Sequence, residues 1–123
     1  MFRLTVIDSF ASAHQLREYR GQCENLHGHN WKVEAVVEGK DLDDTGLLLD
    51  FKDLKRALKD ILKELDHTLL NQHPFFQERN PTSENLAFYI FRRLEEALRV
   101  YPGVRVKSIT VWESEKAGAT YLE

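Results

Sequence analysis

Cysteine is nearly absent from this chain. One thiol, Cys23, in 123 residues cannot close an intramolecular disulfide, so no disulfide framework holds the fold together. A free thiol suits a reducing compartment. Long apolar runs are missing too, and no stretch approaches the length of a bilayer span. The opening MFRLTVIDSF has no basic leader ahead of an apolar core. The expectation is a soluble, cytoplasmic protein that engages no membrane. Blocks of one-signed charge are also lacking. The 17 basic and 20 acidic residues are interspersed for a net charge of −3, so nucleic acid is not the expected partner. No repeat, linker or low-complexity tract divides the chain, which reads as a single domain over 1–123. So small a domain buries a modest fraction of its surface, and self-association is a natural supplement.

What is present is periodic. Residues 2–10 alternate, with Phe2, Leu4 and Val6 opposite Arg3 and Thr5, which is a strand period. Residues 31–38 alternate more clearly, with Trp31, Val33, Ala35 and Val37 on one face and Lys32, Glu34 and Glu38 on the other. This predicts a half-buried antiparallel strand paired with the first. GKDLDDTG is turn chemistry. Asp50 stands as an N-cap ahead of Phe51, Leu54, Leu58, Ile61, Leu62 and Leu65 at helical spacing, a helix ending near Asp66. A second helix is expected from Thr82 or Ser83, with Leu86, Ile90, Leu94 and Leu98 as its buried stripe, stopped by Tyr101-Pro102-Gly103. Residues 104–113 are rich in β-branched side chains and read as a strand, and a last short strand is expected from Ala119. The order ββααββ lacks alternating βαβ crossovers. It predicts an α+β fold, a small antiparallel sheet with two helices on one face.

The chemistry concentrates in CENLHGHN, residues 23–30. His27 and His29 are two apart, so on an extended segment both imidazoles point to one side, and they share parity with Trp31 and Val33. His14 follows the first strand. If the first two strands pair, it comes to lie beside them. Three His around one ion with an open fourth position is the pattern of a catalytic zinc site, with Zn the default among metals that imidazole suits. Cys23 has three readings: a small buried hydrophobe, a fourth ligand closing a structural shell, or a thiol activated by the metal and basic neighbours. Asp66 and His67 are adjacent, and a carboxylate beside an imidazole can orient it and favour its charged form. Glu113, near the end of an apolar strand, needs a partner to offset desolvation, and an amidine- or guanidine-like edge of a ligand would supply one.

Six segments together resemble the 6-pyruvoyltetrahydropterin synthase superfamily over nearly the whole chain: FASAH (10–14), CENLHGHNW (23–31), LLLDF (47–51), LDHTLLN (65–71), NPTSENLA (80–87) and VWES (111–114). The short C-x-x-x-H-G-H spacing is similar to the 6-carboxytetrahydropterin synthase branch, which serves queuosine and related deazapurine biosynthesis. Animal-type pyruvoyl enzymes have a longer gap, and a third branch has Glu in place of the Cys. Ser114 stands where many relatives carry Thr, a conservative change, and EKAGATYLE is atypical.

The resemblance implies the tunnelling fold, in which sheets from three subunits close into a barrel. Two such rings stack as a homohexamer, with active sites between subunits. It implies that His14, His27 and His29 hold Zn2+, and that Cys23 is the proton acceptor in a Cys23–Asp66–His67 relay. Glu113 then anchors the pterin ring, with help from the backbone around Thr82 and Ser83. The implied reaction is that of a lyase, converting 7,8-dihydroneopterin triphosphate to 6-carboxy-5,6,7,8-tetrahydropterin, acetaldehyde and triphosphate. Arg17, Arg20 and Lys116 are candidates for the triphosphate, but nothing in their spacing selects them. The rivals are 6-pyruvoyltetrahydropterin synthesis on the same fold and a non-catalytic zinc module closed by Cys23.

Overall fold

The computed structural model describes residues 1–18 and 25–123. Strands β1 (Phe2–His14) and β2 (His27–Gly39) lead into helix α1 (Phe51–Lys63). A two-residue strand β3 (Thr68–Leu69) precedes helix α2 (Ser83–Ala97), and β4 (Arg105–Trp112) and β5 (Gly118–Leu122) close the chain. The sheet order is β3-β1-β2-β4-β5. The expected ββααββ order is therefore corrected by one element. After α1 the backbone lays Thr68 and Leu69 along the β1 edge in parallel register with Ser12 and Ala13. Two residues are too short to show a period, which is why the sequence concealed them.

β1 and β2 pair antiparallel without interruption from Phe2↔Gly39 to His14↔His27. Both strands run further than alternation suggested, β1 through His14 and β2 from His27. Small residues in FASAH and Gly28 carry no apolar signal, yet the ladder continues through them. Val6, Phe10, Trp31, Val33, Ala35 and Val37 are buried on one face, joined by Val106, Ile109 and Val111 of β4. A register shift opposite Val36/Val37 leaves Lys107 as the extra residue on β4. That bulge keeps Val106 and Ile109 on the same buried face despite their odd spacing.

Both helices cover this face. The Asp50 carboxylate caps α1 by accepting from the Lys52 amide at 2.8 Å, and Thr82 Oγ1 caps α2 by accepting from Asn85 N at 3.1 Å. α1 ends at Lys63, short of Asp66, and buries Leu54, Leu58, Ile61 and Leu62. Phe51, at the first turn, is half exposed instead of joining that stripe. α2 buries Leu86, Ile90 and Leu94 as expected, with Ala87, Tyr89 and Phe91 added. Each fully buried Leu or Ile contributes roughly 1.5–3 kcal/mol relative to exposure.

Glu38, expected on the solvated face, is only 3% exposed. Arg3 Nε binds its Oε2 at 3.0 Å and Arg105 binds its Oε1. Burial alone would raise the carboxyl, but the two guanidiniums outweigh it and hold it below the usual range. The sheet face away from the helices carries Thr5, Ile7, Ser9, Lys32, Glu34, Thr110 and Trp112, with no element of this chain packed over it among the described residues. No described helix is long and apolar enough to cross a membrane.

Candidate metal centre

The β1–β2 register brings His14 directly opposite His27, and Ser12 opposite His29. All three imidazoles stand on the core face, at the end of the sheet beyond Trp31. Their ring centroids lie 4.6, 5.0 and 4.7 Å apart. The Trp31 indole forms the floor, edge-on to His14 at 4.9 Å and to His29 at 5.1 Å, and its Nε1–H donates to the Ser12 carbonyl at 3.3 Å. His14 is 2% exposed.

Two rings have their tautomer assigned by what they touch. His14 Nδ1 lies 2.8 Å from the Pro81 carbonyl, and His27 Nδ1 lies 2.7 Å from the Asn25 carbonyl. A carbonyl only accepts, so each Nδ1 carries a proton and each neutral ring presents a bare Nε2 lone pair. Those two Nε2 atoms face each other at 3.0 Å. Two lone pairs at that distance repel unless a proton or a cation stands between them. Nδ1–H bonded to a backbone carbonyl is the arrangement that orients a metal-ligating imidazole. The donor set therefore fits a zinc-type ion held by Nε2 atoms.

Glu113 completes the group. Its backbone N–H donates to Ala117 O at 3.0 Å, where the chain turns from β4 to β5. Its Oε1 lies 2.8 Å from His29 Nε2 and 3.6 Å from His14 Nε2. The donor atoms of His14, His27, His29 and Glu113 all lie within 4.8 Å of one another. The carboxylate expected to meet a ligand edge thus sits against the imidazoles.

Asp66 and His67 lie elsewhere, in the turn after α1. His67 Nδ1 is 2.9 Å from Asp66 Oδ2, and Asp66 Oδ1 accepts from Ala11 N at 2.9 Å. The His67 amide donates to Ala11 O at 2.6 Å, its φ is +55°, and its side chain is 83% exposed. The Ala11 amide, helped by His67, holds the Asp66 carboxyl below its usual range. The two residues form the expected pair but stand at the β1 edge, outside the four-donor cluster. Cys23 lies outside the described residues, as does Arg20. Thr82 and Ser83 start α2 immediately after Pro81, whose carbonyl holds His14.

Arg17 is committed to structure. Its guanidinium donates to Phe76 O at 2.5 Å and to Asn71 O at 3.4 Å. Asn71 and Asn80 act as backbone mimics. Asn71 exchanges hydrogen bonds with Gln15 at 2.8 and 2.7 Å, and Asn80 with Arg17 at 2.8 and 3.0 Å. They pin the segment after His14 to the 71–80 loop and so hold Pro81 in place. The sequence reading missed these residues, although both lie inside quoted motifs, LDHTLLN and NPTSENLA. It also missed the Ser12 hydroxyl, which is buried with no hydrogen-bond partner among the described residues.

The family model described as 6-pyruvoyl tetrahydropterin synthase matches residues 3–123. The chain is 38% identical over 119 residues to the 6-carboxy-5,6,7,8-tetrahydropterin synthase of a Synechocystis species, covering 93% of this chain and 88% of that one. It is 38% identical over 111 residues to the dihydroneopterin monophosphate aldolase of Pyrococcus furiosus, covering 89% and 88%. Among solved structures, the 6-pyruvoyl tetrahydropterin synthase of Caenorhabditis elegans superposes with a TM-score of 0.87 at 26% identity, covering 99% of this chain and 95% of that chain.

Proposed function

Since this chain belongs to the 6-pyruvoyl tetrahydropterin synthase family, and is thereby a pterin lyase, we propose that it is the zinc-dependent enzyme that forms 6-carboxy-5,6,7,8-tetrahydropterin. The substrate is 7,8-dihydroneopterin triphosphate, and acetaldehyde and triphosphate are released, as a step toward queuosine-type deazapurines. The observation that carries this is the pair of Nε2 lone pairs facing each other at 3.0 Å with both Nδ1 protons committed to carbonyls. The short Cys23-to-His27 spacing favours the carboxy product over the pyruvoyl one.

His14, His27 and His29 would hold the zinc, which when bound would supply Lewis-acid polarisation of the substrate's side-chain hydroxyls. The protein's residues do the rest. Cys23, as thiolate, accepts a proton from the side chain. A thiol of ordinary pKa near 8.5 is mostly protonated at neutral pH, so a cationic neighbour must favour the anion. The resemblance gives that role to His67 together with the metal; His67 is oriented by Asp66 and exposed at the sheet edge, where a second copy of the chain would receive it. This fits active sites formed between subunits of a barrel whose lining is the helix-free sheet face, the homohexamer of the tunnelling fold. Glu113 accepts from the amino–amide edge of the pterin, a two-point contact that fixes orientation, and the backbone at Thr82 and Ser83 borders the same end of the sheet.

The test is to incubate purified protein with dihydroneopterin triphosphate and identify the products by mass. Acetaldehyde with a 6-carboxy product is expected. A 6-pyruvoyl product would move the chain to the sister reaction. Side-chain cleavage leaving a 6-hydroxymethyl group would favour the aldolase chemistry named for the Pyrococcus relative. Cys23→Ala should retain metal and lose about 10²–10⁴-fold in rate. Retained turnover would count against Cys23 as the proton acceptor, and lost zinc would favour the structural zinc module. His67→Ala should slow the reaction without releasing metal.

A further inference from the structure

The geometry points to Glu113 as a fourth metal ligand in the substrate-free protein, one that must leave before substrate can reach the ion. This rests on the zinc and pterin assignment above and adds that the carboxylate has two partners it cannot hold at once.

A tetrahedral zinc with arms of about 2.0–2.2 Å requires neighbouring donors about 3.3–3.5 Å apart. The contacts here scatter around that edge length: 3.0 Å for His14–His27, 2.8 Å for His29–Glu113 and 3.6 Å for His14–Glu113. The fourth corner of the imidazole set is a carboxylate oxygen, a ligand zinc accepts as readily as imidazole. An anionic oxygen at that distance from ring nitrogens adds the one negative charge among the described donors.

The four donors are not held alike. The His14 and His27 rings are anchored through Nδ1 to carbonyls, and His14 is buried. Among the described residues Glu113 is tied by its backbone to Ala117, its side chain meets the imidazoles of His29 and His14, and that side chain is 39% exposed. Two of the imidazoles are anchored through their rings, whereas the carboxylate sits on an exposed side chain that can swing. A pterin ring that takes the carboxylate's hydrogen bonds would therefore pull it from the ion and open the position that a side-chain hydroxyl then fills. Ring recognition and metal access become one event. Hydroxylated molecules without an amino–amide edge meet a closed shell.

Cobalt-loaded protein tests this. Azide, a small anion that needs an open position, is titrated against the visible spectrum of wild type and of Glu113→Gln. Azide should perturb the variant at concentrations at least about tenfold lower, and zinc Kd should rise by about 10–100-fold, as when a metal site loses an ionic partner. Adding 6-methylpterin, which has the ring edge but no side-chain hydroxyl, should bring wild type to the variant's azide affinity and leave the variant unchanged. Equal azide and zinc affinities in the two proteins would overturn the inference while leaving the three-His site intact. Failure of wild type to take up cobalt or zinc would overturn the metal assignment and this inference together.

Discussion

A neutral imidazole carries one ring proton, and its position decides what the other nitrogen can do. At His14 and His27 the decision is made by two main-chain carbonyls, Pro81 and Asn25. His-x-His spacing and strand parity made the donors legible in the sequence. The carbonyls were not, because a carbonyl belongs to every residue and only the fold says which one arrives. Ser12 shows the opposite case. Its hydroxyl is buried opposite His29 and has no hydrogen-bond partner among the described residues, which costs desolvation with no return. Ser12→Ala should therefore stabilise the metal-free protein by about 1 kcal/mol. Urea unfolding would report this as a higher midpoint at unchanged slope; a lower midpoint would mean that the hydroxyl has a structural partner after all.

Elements were readable where periodicity was strong. The caps Asp50 and Thr82, the α2 stripe and the Trp31–Val37 face all follow from side-chain spacing. The segment after α1 was not, since its structure comes from the neighbour it docks against. Asp66 and His67 bind both backbone groups of Ala11 on β1. The depressed Asp66 carboxyl sets the sign of a pH effect. The ionised form is favoured in the fold, so the docking is fully present above the ordinary carboxylate range and is lost as pH falls through the lowered folded value. Protection of the Ala11 amide, measured against its intrinsic exchange rate at each pH, should fall in acid. In Asp66→Asn it should be low already at neutral pH, with no acid step left; an acid step surviving in that variant would place the titration elsewhere.

At the scale of the whole molecule, a five-stranded sheet covers one face with helices and leaves the other to its surroundings. Ile7 is 57% exposed there, in a row with Thr5 and Ser9. Lys32, Glu34 and Trp112 knit the neighbouring strands on the same face, Trp112 Nε1 donating to Glu34 Oε1 at 3.2 Å with the Lys32 ammonium 5.0 Å from the indole. If this face lines a barrel shared between copies, Ile7→Asp should disassemble it. Sedimentation should then show 14.4 kDa chains in place of a hexamer, with the circular dichroism of the fold retained and turnover lost because His67 no longer reaches a neighbour's site. An unchanged sedimentation profile would exclude the face as the interface.

By itself the sequence determined which residue types this protein has to work with, the four-strand and two-helix skeleton, and the family its motifs belong to. Alternation, capping and spacing act over a few residues and are written in order along the chain. The tertiary structure decided the rest: the continuous register that sets His14 against His27, the carbonyls that fix their protons, and the diversion of Arg17 to loop carbonyls and Glu38 to a buried ion pair. It also brought Glu113 in from the turn after β4. Those outcomes depend on which backbone and side-chain groups meet across tens of residues, and no local period records that.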